Sequence, residues 1–269
     1  MAIDFHDEDN RGTYATRSAD EGWVQAVVRT VDLHGRRVAD IGCGGGIYST
    51  AMAQYGARRV VGVDFSARMV ADAQQRAETL GVANVEFREG TAERTGLPSG
   101  SADIVLQRAL VHHLDSLPEA FVEARRLLDA GGVLLVQDRT MDDILLPPSP
   151  EHLRGWFFEQ SPRLIEIEAR RRPSAEQIEA ALRDAGFCTV RQHHLVELRR
   201  TYADAEELRN DLLARTGRSI LHELDDTELA SLTQRICEEV EQRPAGAPIR
   251  EIDHWTVWAV QASGGVPTG

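Results

Sequence analysis

The stretch Val38-Ala39-Asp40-Ile41-Gly42-Cys43-Gly44-Gly45-Gly46 decides the fold. A short apolar run carries an acid, breaks into alternating glycines and passes at once into a helical pattern, Ile47 to Tyr55. It reads as a strand, a tight turn and a helix. Glycine at 42, 44 and 46 lets the chain turn sharply and lets a ligand lie against the main chain without meeting a Cβ atom. Such a turn can use glycine for geometry alone, but three alternating glycines behind an acid favour a ligand-binding loop. The dinucleotide spacing GxGxxG would need glycine at 47, where the chain has Ile47, so the nicotinamide reading weakens. A second acid, Asp64, ends the next apolar run 22 residues beyond Gly42. That is close to the separation of about 20 at which a carboxylate takes ribose hydroxyls.

Working outward, apolar runs at Val38–Ile41, Arg59–Asp64, Asn84–Arg88, Ala102–Gln107 and Val133–Asp138 alternate with amphipathic stretches. This alternation gives an α/β fold, a doubly wound and mostly parallel sheet with helices on its faces. A sixth strand at Cys188–Leu198 and a last one at Ile249–Gln261 make seven. Ser66 caps a helix that Gly81 stops, and Ser116 with Glu119, Ser174 with Gln177, Asp204 with Glu207 and Asp225 with Glu228 share the spacing of capping boxes. We expect one domain, with its core at 36–140, 174–198 and 249–262, an amino-terminal cap at 1–31, and helical lid insertions at 141–173 and 202–248. In the cap, Trp23 packs a surface helix on the body, or that helix folds over the ligand. Trp156, Phe157 and Phe158 in the first insertion line an acceptor pocket or anchor the insertion.

Of the 269 residues, 42% are hydrophobic and 27% charged, enough for one sizeable core with elaborations or two small ones. The formal charge of −13 repels polyanions, so nucleic acid is not the expected partner. The acidic amino terminus lacks the pattern of a secretory signal, and runs such as Gly131 to Val136 fall far short of the roughly 20 residues that span a bilayer. A cytoplasmic location is expected. Cys43, Cys188 and Cys237 form no CxxC pair, and the histidines show no ligand spacing, so neither a disulfide framework nor a metal site is expected.

Taken in order, Asp40-x-Gly42-x-Gly44-x-Gly46, Gly62-Val-Asp64-Phe-Ser66, Ala102-Asp-Ile-Val-Leu-Gln107 with Leu110-Val-His-His-Leu114, and Leu127-Leu-Asp-Ala-Gly131-Gly132 resemble the successive motifs of class I S-adenosylmethionine methyltransferases. The branch most similar in style holds quinone-biosynthesis and other small-molecule methyltransferases. The resemblance covers about residues 36–140, and 174–198 loosely. It implies a Rossmann-like methyltransferase fold, S-adenosylmethionine as cofactor, and methyl transfer to a small organic acceptor by direct displacement at the sulfonium methyl. It also implies that Asp40 and the backbone of Gly42, Gly44 and Gly46 face the methionine part and Asp64 the ribose. Phe65 and Met69 would meet the adenine face, unless they are simply core. Thr91, Ala92 and Glu93 would meet the adenine edge, with Thr91 standing where relatives often carry an acid. Gln107 joins this set from the end of the fourth strand, and Tyr14 and Arg17 lie where similar enzymes reach the methionine carboxylate.

Transfer from a sulfonium needs mainly alignment of the partners, with one base added where the acceptor carries a proton. His112, His113 and Tyr14 are the candidates, although the two adjacent histidines fit a loop or short helix beside the sheet better, since neighbouring side chains do not both face one pocket well. Methylation of RNA or protein, and a module that binds S-adenosylmethionine without transfer, remain the alternatives.

Overall fold

The structure, a computed structural model, describes residues 19, 21–243 and 247–262. The glycine-bearing stretch is strand β1 (Arg37–Ile41) leading into helix α2 (Ile47–Gln54), after a first helix α1 (Glu21–Thr30). Strand β2 (Arg59–Asp64), helix α3 (Ala67–Leu80), strand β3 (Val85–Glu89), strand β4 (Ala102–Arg108), helix α4 (Leu117–Leu127) and strand β5 (Leu128–Asp138) continue the alternation. Helix α8 (Ala175–Asp184), strand β6 (Phe187–Tyr202) and strand β7 (Ile249–Ala262) complete the sheet and its flanks. Its order is β3-β2-β1-β4-β5-β7-β6. The five strands from β3 to β5 run parallel, and β7 lies antiparallel to β5. The chain winds outward from β1 to β3 and then crosses back to β4. The switch point between β1 and β4 is where open α/β sheets form a crevice at their carboxyl edge.

The chain forms two compact units. The sheet-bearing unit holds Glu21–Thr140, Arg172–Leu195 and the chain from Trp255. Ile41, Val63, Val105, Leu134 and Trp258 lie at its centre, beneath α4 and α8. Helix α1 packs on this body: Trp23 is fully buried, its Nε1 donates to Gln137 Oε1 at 2.7 Å and its ring stands 4.5 Å from that of Tyr48.

The second unit holds Met141–Arg171 and Val196–His254. It contains α5 (Met141–Ile144), α6 (Arg154–Gln160), α7 (Arg163–Arg171), α9 (Ala205–Leu213) and α10 (Asp226–Glu241). The two stretches read from the sequence as lid insertions that meet belong to one unit with an apolar core of its own, which includes Ile144, Phe157, Leu208, Leu212 and Leu229. Phe157 and Phe158 are anchors within that core, with Trp156 packed against it. Arg218 is buried there too, donating to Asp211 at 2.7 Å and to Glu251 at 2.6 Å.

Most of the helix ends follow their sequence signals. Ser66 Oγ accepts from the Met69 amide, Gly81 ends α3 at φ 65°, and capping boxes form at Ser174 and Asp225. Asp204 caps α9 through the Glu207 amide. Ser116 is the exception, because its side chain makes no cap bond. Pro118 in the first turn, with its fixed φ, starts α4 without one.

Gly46 meets two constraints at once: its φ is 73°, and a Cβ there would lie 2.7 Å from Phe87 Cζ and 2.8 Å from Ala73 Cβ. Gly46→Ala should therefore cost about 2–4 kcal/mol, read as a lowered midpoint in chemical denaturation. At Gly44 a Cβ meets nothing within 4 Å, so Gly44→Ala should cost only about 1 kcal/mol of backbone strain.

Candidate active site at the carboxyl edge

The loop after β1 is held by backbone and by one carboxylate. Gly42 and Cys43 donate to the Val63 carbonyl at 2.8 and 3.1 Å, and the Gly45 carbonyl accepts from Arg76 Nε at 3.1 Å. The Gly44 amide donates to Asp64 Oδ2 at 2.8 Å. Asp64 ends β2, and its other oxygen accepts from the Ser66 amide at 3.0 Å. Side chains placed at Gly44 or Gly45 would meet nothing within 4 Å among the described residues, so there the loop presents bare main chain, the cradle a ligand needs for close approach.

Asp40 faces inward. It is 2% exposed, and its carboxylate accepts from Ser49 Oγ in α2 at 2.5 Å. Burial pushes its pKa up to about 6, against the opposing pull of the Ser49 bond and of Arg108. Of the two residues assigned to an adenine face, Phe65 is 49% exposed directly beyond Asp64, whereas Met69 is buried in α3. The turn after β3 leaves Thr91 exposed with its Oγ1 accepting from the Arg94 amide, Ala92 buried and Glu93 half-buried. Tyr14 and Arg17 lie outside the described residues.

At the end of β4, Gln107 is fully buried, and neither its amide oxygen nor its amide nitrogen has a hydrogen-bond partner. Two residues on, Ala109 takes φ 51°, in the left-handed region rarely used by residues with a Cβ. Leu110 then packs on the glycine loop so closely that a Cβ at Gly42 would sit 2.8 Å from its Cδ1. A 3-10 turn, Val111–His113, brings His112 round beneath this contact.

His112 is buried, and its Nδ1 lies 2.8 Å from Asp138 Oδ2 and 2.9 Å from Oδ1. Asp138 ends β5 and also accepts from Arg172 Nη1 at 2.7 Å and from the Arg139 amide at 2.8 Å. Burial alone would raise its pKa. The His112 ring, the Arg172 cation and the Arg139 amide outweigh burial and hold the carboxyl well below the usual range. An ionised carboxylate only accepts, so Nδ1 carries the proton and Nε2 is left as the basic nitrogen.

Asp138 and Arg172 did not emerge from the sequence as functional residues. The signal for Asp138 was present, since it ends a parallel strand as Asp64 does. Arg172 had none, because only the fold brings it 34 positions back to Asp138.

Residues 39–136 match the methyltransferase domain family. YcgJ of Bacillus subtilis, an uncharacterized methyltransferase, is 37% identical over 118 residues, which are 44% of this chain and 46% of that protein. A ubiquinone biosynthesis O-methyltransferase of Roseobacter denitrificans is 37% identical over 126 residues, 46% of this chain and 50% of its own length. The chain thus spans about half the length of these curated relatives. The crystal structure of YcgJ matches over 90% of this chain and 98% of that one, with a TM-score of 0.57 and 22% identity. Haemonchus contortus phosphoethanolamine N-methyltransferase 2, solved with phosphomonomethylethanolamine and S-adenosylhomocysteine, matches over 97% of this chain and 60% of its own at a TM-score of 0.59 and 18% identity. At such identities the solved structures establish the shared fold.

Two predictions follow from the carboxylates. Replacing Asp64 with Ala removes the Gly44 anchor and the carboxylate that the family resemblance leads us to expect at the ribose, so S-adenosylmethionine should bind about ten- to a hundredfold more weakly by calorimetry. Asp40 ionises against its burial, so its charged form opposes folding, and its contribution to stability falls as pH rises from 3.8 to about 6. Asp40→Asn should then be more stable than the parent at pH 7 by up to about 3 kcal/mol, with the difference vanishing near pH 4. A difference independent of pH means that Asp40 titrates normally.

Proposed function

With residues 39–136 forming a methyltransferase domain of the class I, Rossmann-like kind, we propose that the chain transfers a methyl group from S-adenosylmethionine to an oxygen or nitrogen of a small organic acceptor, and that His112 takes the acceptor's proton. The observation that carries this reading is the buried His112–Asp138 pair on the turn that packs against the glycine loop.

The residues present suit the cofactor. Among the described residues nothing stands over the main chain at Gly44 and Gly45, the Asp64 carboxylate closes β2 beside that loop, and the aromatic Phe65 follows it at the same strand end. In this reading the loop holds the methionine part, Asp64 the ribose and Phe65 the adenine. When bound, S-adenosylmethionine supplies a methyl group on a sulfonium leaving group. The chain's own task is then to align the acceptor and to remove one proton. His112 Nε2 would take the proton that the acceptor loses on receiving the methyl group, and Asp138 would stabilise the imidazolium that forms. A positioned base of this kind contributes about 10²–10⁴-fold. The O-methyltransferase among the relatives and the charge of −13 both favour a small acceptor over a polyanion.

The test has two parts. Calorimetry should show binding of S-adenosylmethionine and none of NAD; the reverse result sinks the assignment. Incubation with S-adenosylmethionine and a panel of phenols, catechols and amines, read by mass spectrometry, should release S-adenosylhomocysteine. His112→Gln should slow that release by about a hundredfold or more while cofactor binding stays unchanged. Undiminished turnover in this variant removes His112 from the mechanism.

A further inference from the structure

Asp138 serves two partners, and the second has no role in the reading above. Arg172 is buried, its side chain 2% exposed, and it donates to Asp138 Oδ1 at 2.7 Å and to the Arg139 carbonyl at 3.3 Å. The carboxylate is thereby shared: Oδ1 takes Arg172 and the Arg139 amide, while His112 Nδ1 faces both oxygens, 2.8 Å from Oδ2 and 2.9 Å from Oδ1. Arg172 is also the residue at which the chain re-enters the sheet-bearing unit, having left it after Thr140, two residues past Asp138.

We propose that Arg172 is a positioning residue that tunes the proton affinity of His112 through the carboxylate they share. The argument rests on charge and contact. A buried carboxylate touching an imidazole favours the protonated ring, and such a ring cannot act as a base. A guanidinium on the same carboxylate offsets that anion and restores the neutral ring, while its bonds from Nη1 to Asp138 Oδ1 and to the Arg139 carbonyl hold the cation against the acid. Arginine suits the task because it stays charged at every relevant pH. Among the described residues, the titratable and charged groups with recorded contacts in this cluster are His113, whose ring centroid lies 4.0 Å from that of His112, Asp138, and Arg172 acting through Asp138. Arg172 is the cation that remains charged throughout.

This inference deepens the assignment of His112 as the base, yet it can be tested without any acceptor. The imidazole signals of the full chain are followed by NMR against pH, with His112 identified by the signal lost in His112→Gln. In Arg172→Met the His112 midpoint should move to higher pH; in Arg172→Lys it should stay near that of the parent; in Asp138→Asn it should move to lower pH. A purely structural role for Arg172 would lower the melting temperature and leave these midpoints in place. A midpoint that is unmoved or lowered in Arg172→Met overturns the proposal. Should that variant fail to fold, Arg172→Gln takes its place, keeping a polar side chain with N–H donors but not the charge, with the same upward shift expected. The two readings fail separately: full turnover in His112→Gln defeats the base assignment, whereas unmoved midpoints defeat only the tuning.

Discussion

The bond from the Gly44 amide to the Asp64 carboxylate is the constraint on which the carboxyl edge depends. A loop with φ of 73° at Gly42, 50° at Gly44 and 73° at Gly46 has only the Cys43 side chain among its glycines, so it is held mainly from outside. Asp64 supplies that hold from the neighbouring strand, and the parallel pairing of β1 with β2, Ile41 beside Val63, places it there. The same arrangement leaves the outer face of the loop bare. Anchor and cradle are two consequences of one geometry. The loop then sets the position of Leu110, and Leu110 leads the turn that carries His112, so the order of the cofactor side passes to the proposed base through packing.

Asp40 and Asp138 show how partners decide what burial does to an acid. Both are nearly inaccessible, and in both burial pushes the pKa upward. Asp40 has a hydroxyl and a more distant arginine to set against that push, and it ends at about 6. Asp138 has an imidazole, a guanidinium in direct contact and an amide, and it is depressed. The first carboxyl ties β1 to α2 at a cost to stability near neutral pH. The second is a fixed anion, able to orient a histidine and to stabilise the cation that forms when the ring takes a proton.

Sequence patterns reached the glycine loop, Asp64 and all seven strands because each leaves a local trace: alternating glycine, an acid closing an apolar run, and β-branched residues in short blocks. The helix caps were legible in the same way at Ser66, Ser174, Asp204 and Asp225. Ser116 failed because the capping spacing records what a serine can do, and Pro118 had already started the helix. What stayed hidden was non-local. The Asp138–Arg172 pair joins residues 34 positions apart that no local pattern links, and His112 was nominated without the carboxylate that its ring meets. The meeting of the two insertions was different: it was expected from their places in the chain, and Phe157 and Leu208 do share one core.

The end of β4 breaks local rules more densely than any other described strand end. Gln107 buries an amide with no partner at either atom, an arrangement that costs about 1–3 kcal/mol for each polar group left unsatisfied. Ala109 holds φ 51°, one of two described residues other than glycine with positive φ; the other, Arg215, lies in the helical unit. Neither departure is needed to build a parallel sheet. Both fall within five residues of His112 and beside the switch point between β1 and β4. Gln137, near the end of the neighbouring β5, also buries an amide nitrogen with no partner among the described residues. Strain and unpaired polarity persist where surrounding structure over-determines them. The ends of β4 and β5 are therefore where the sheet departs from local rules, beside the glycine loop at the carboxyl edge.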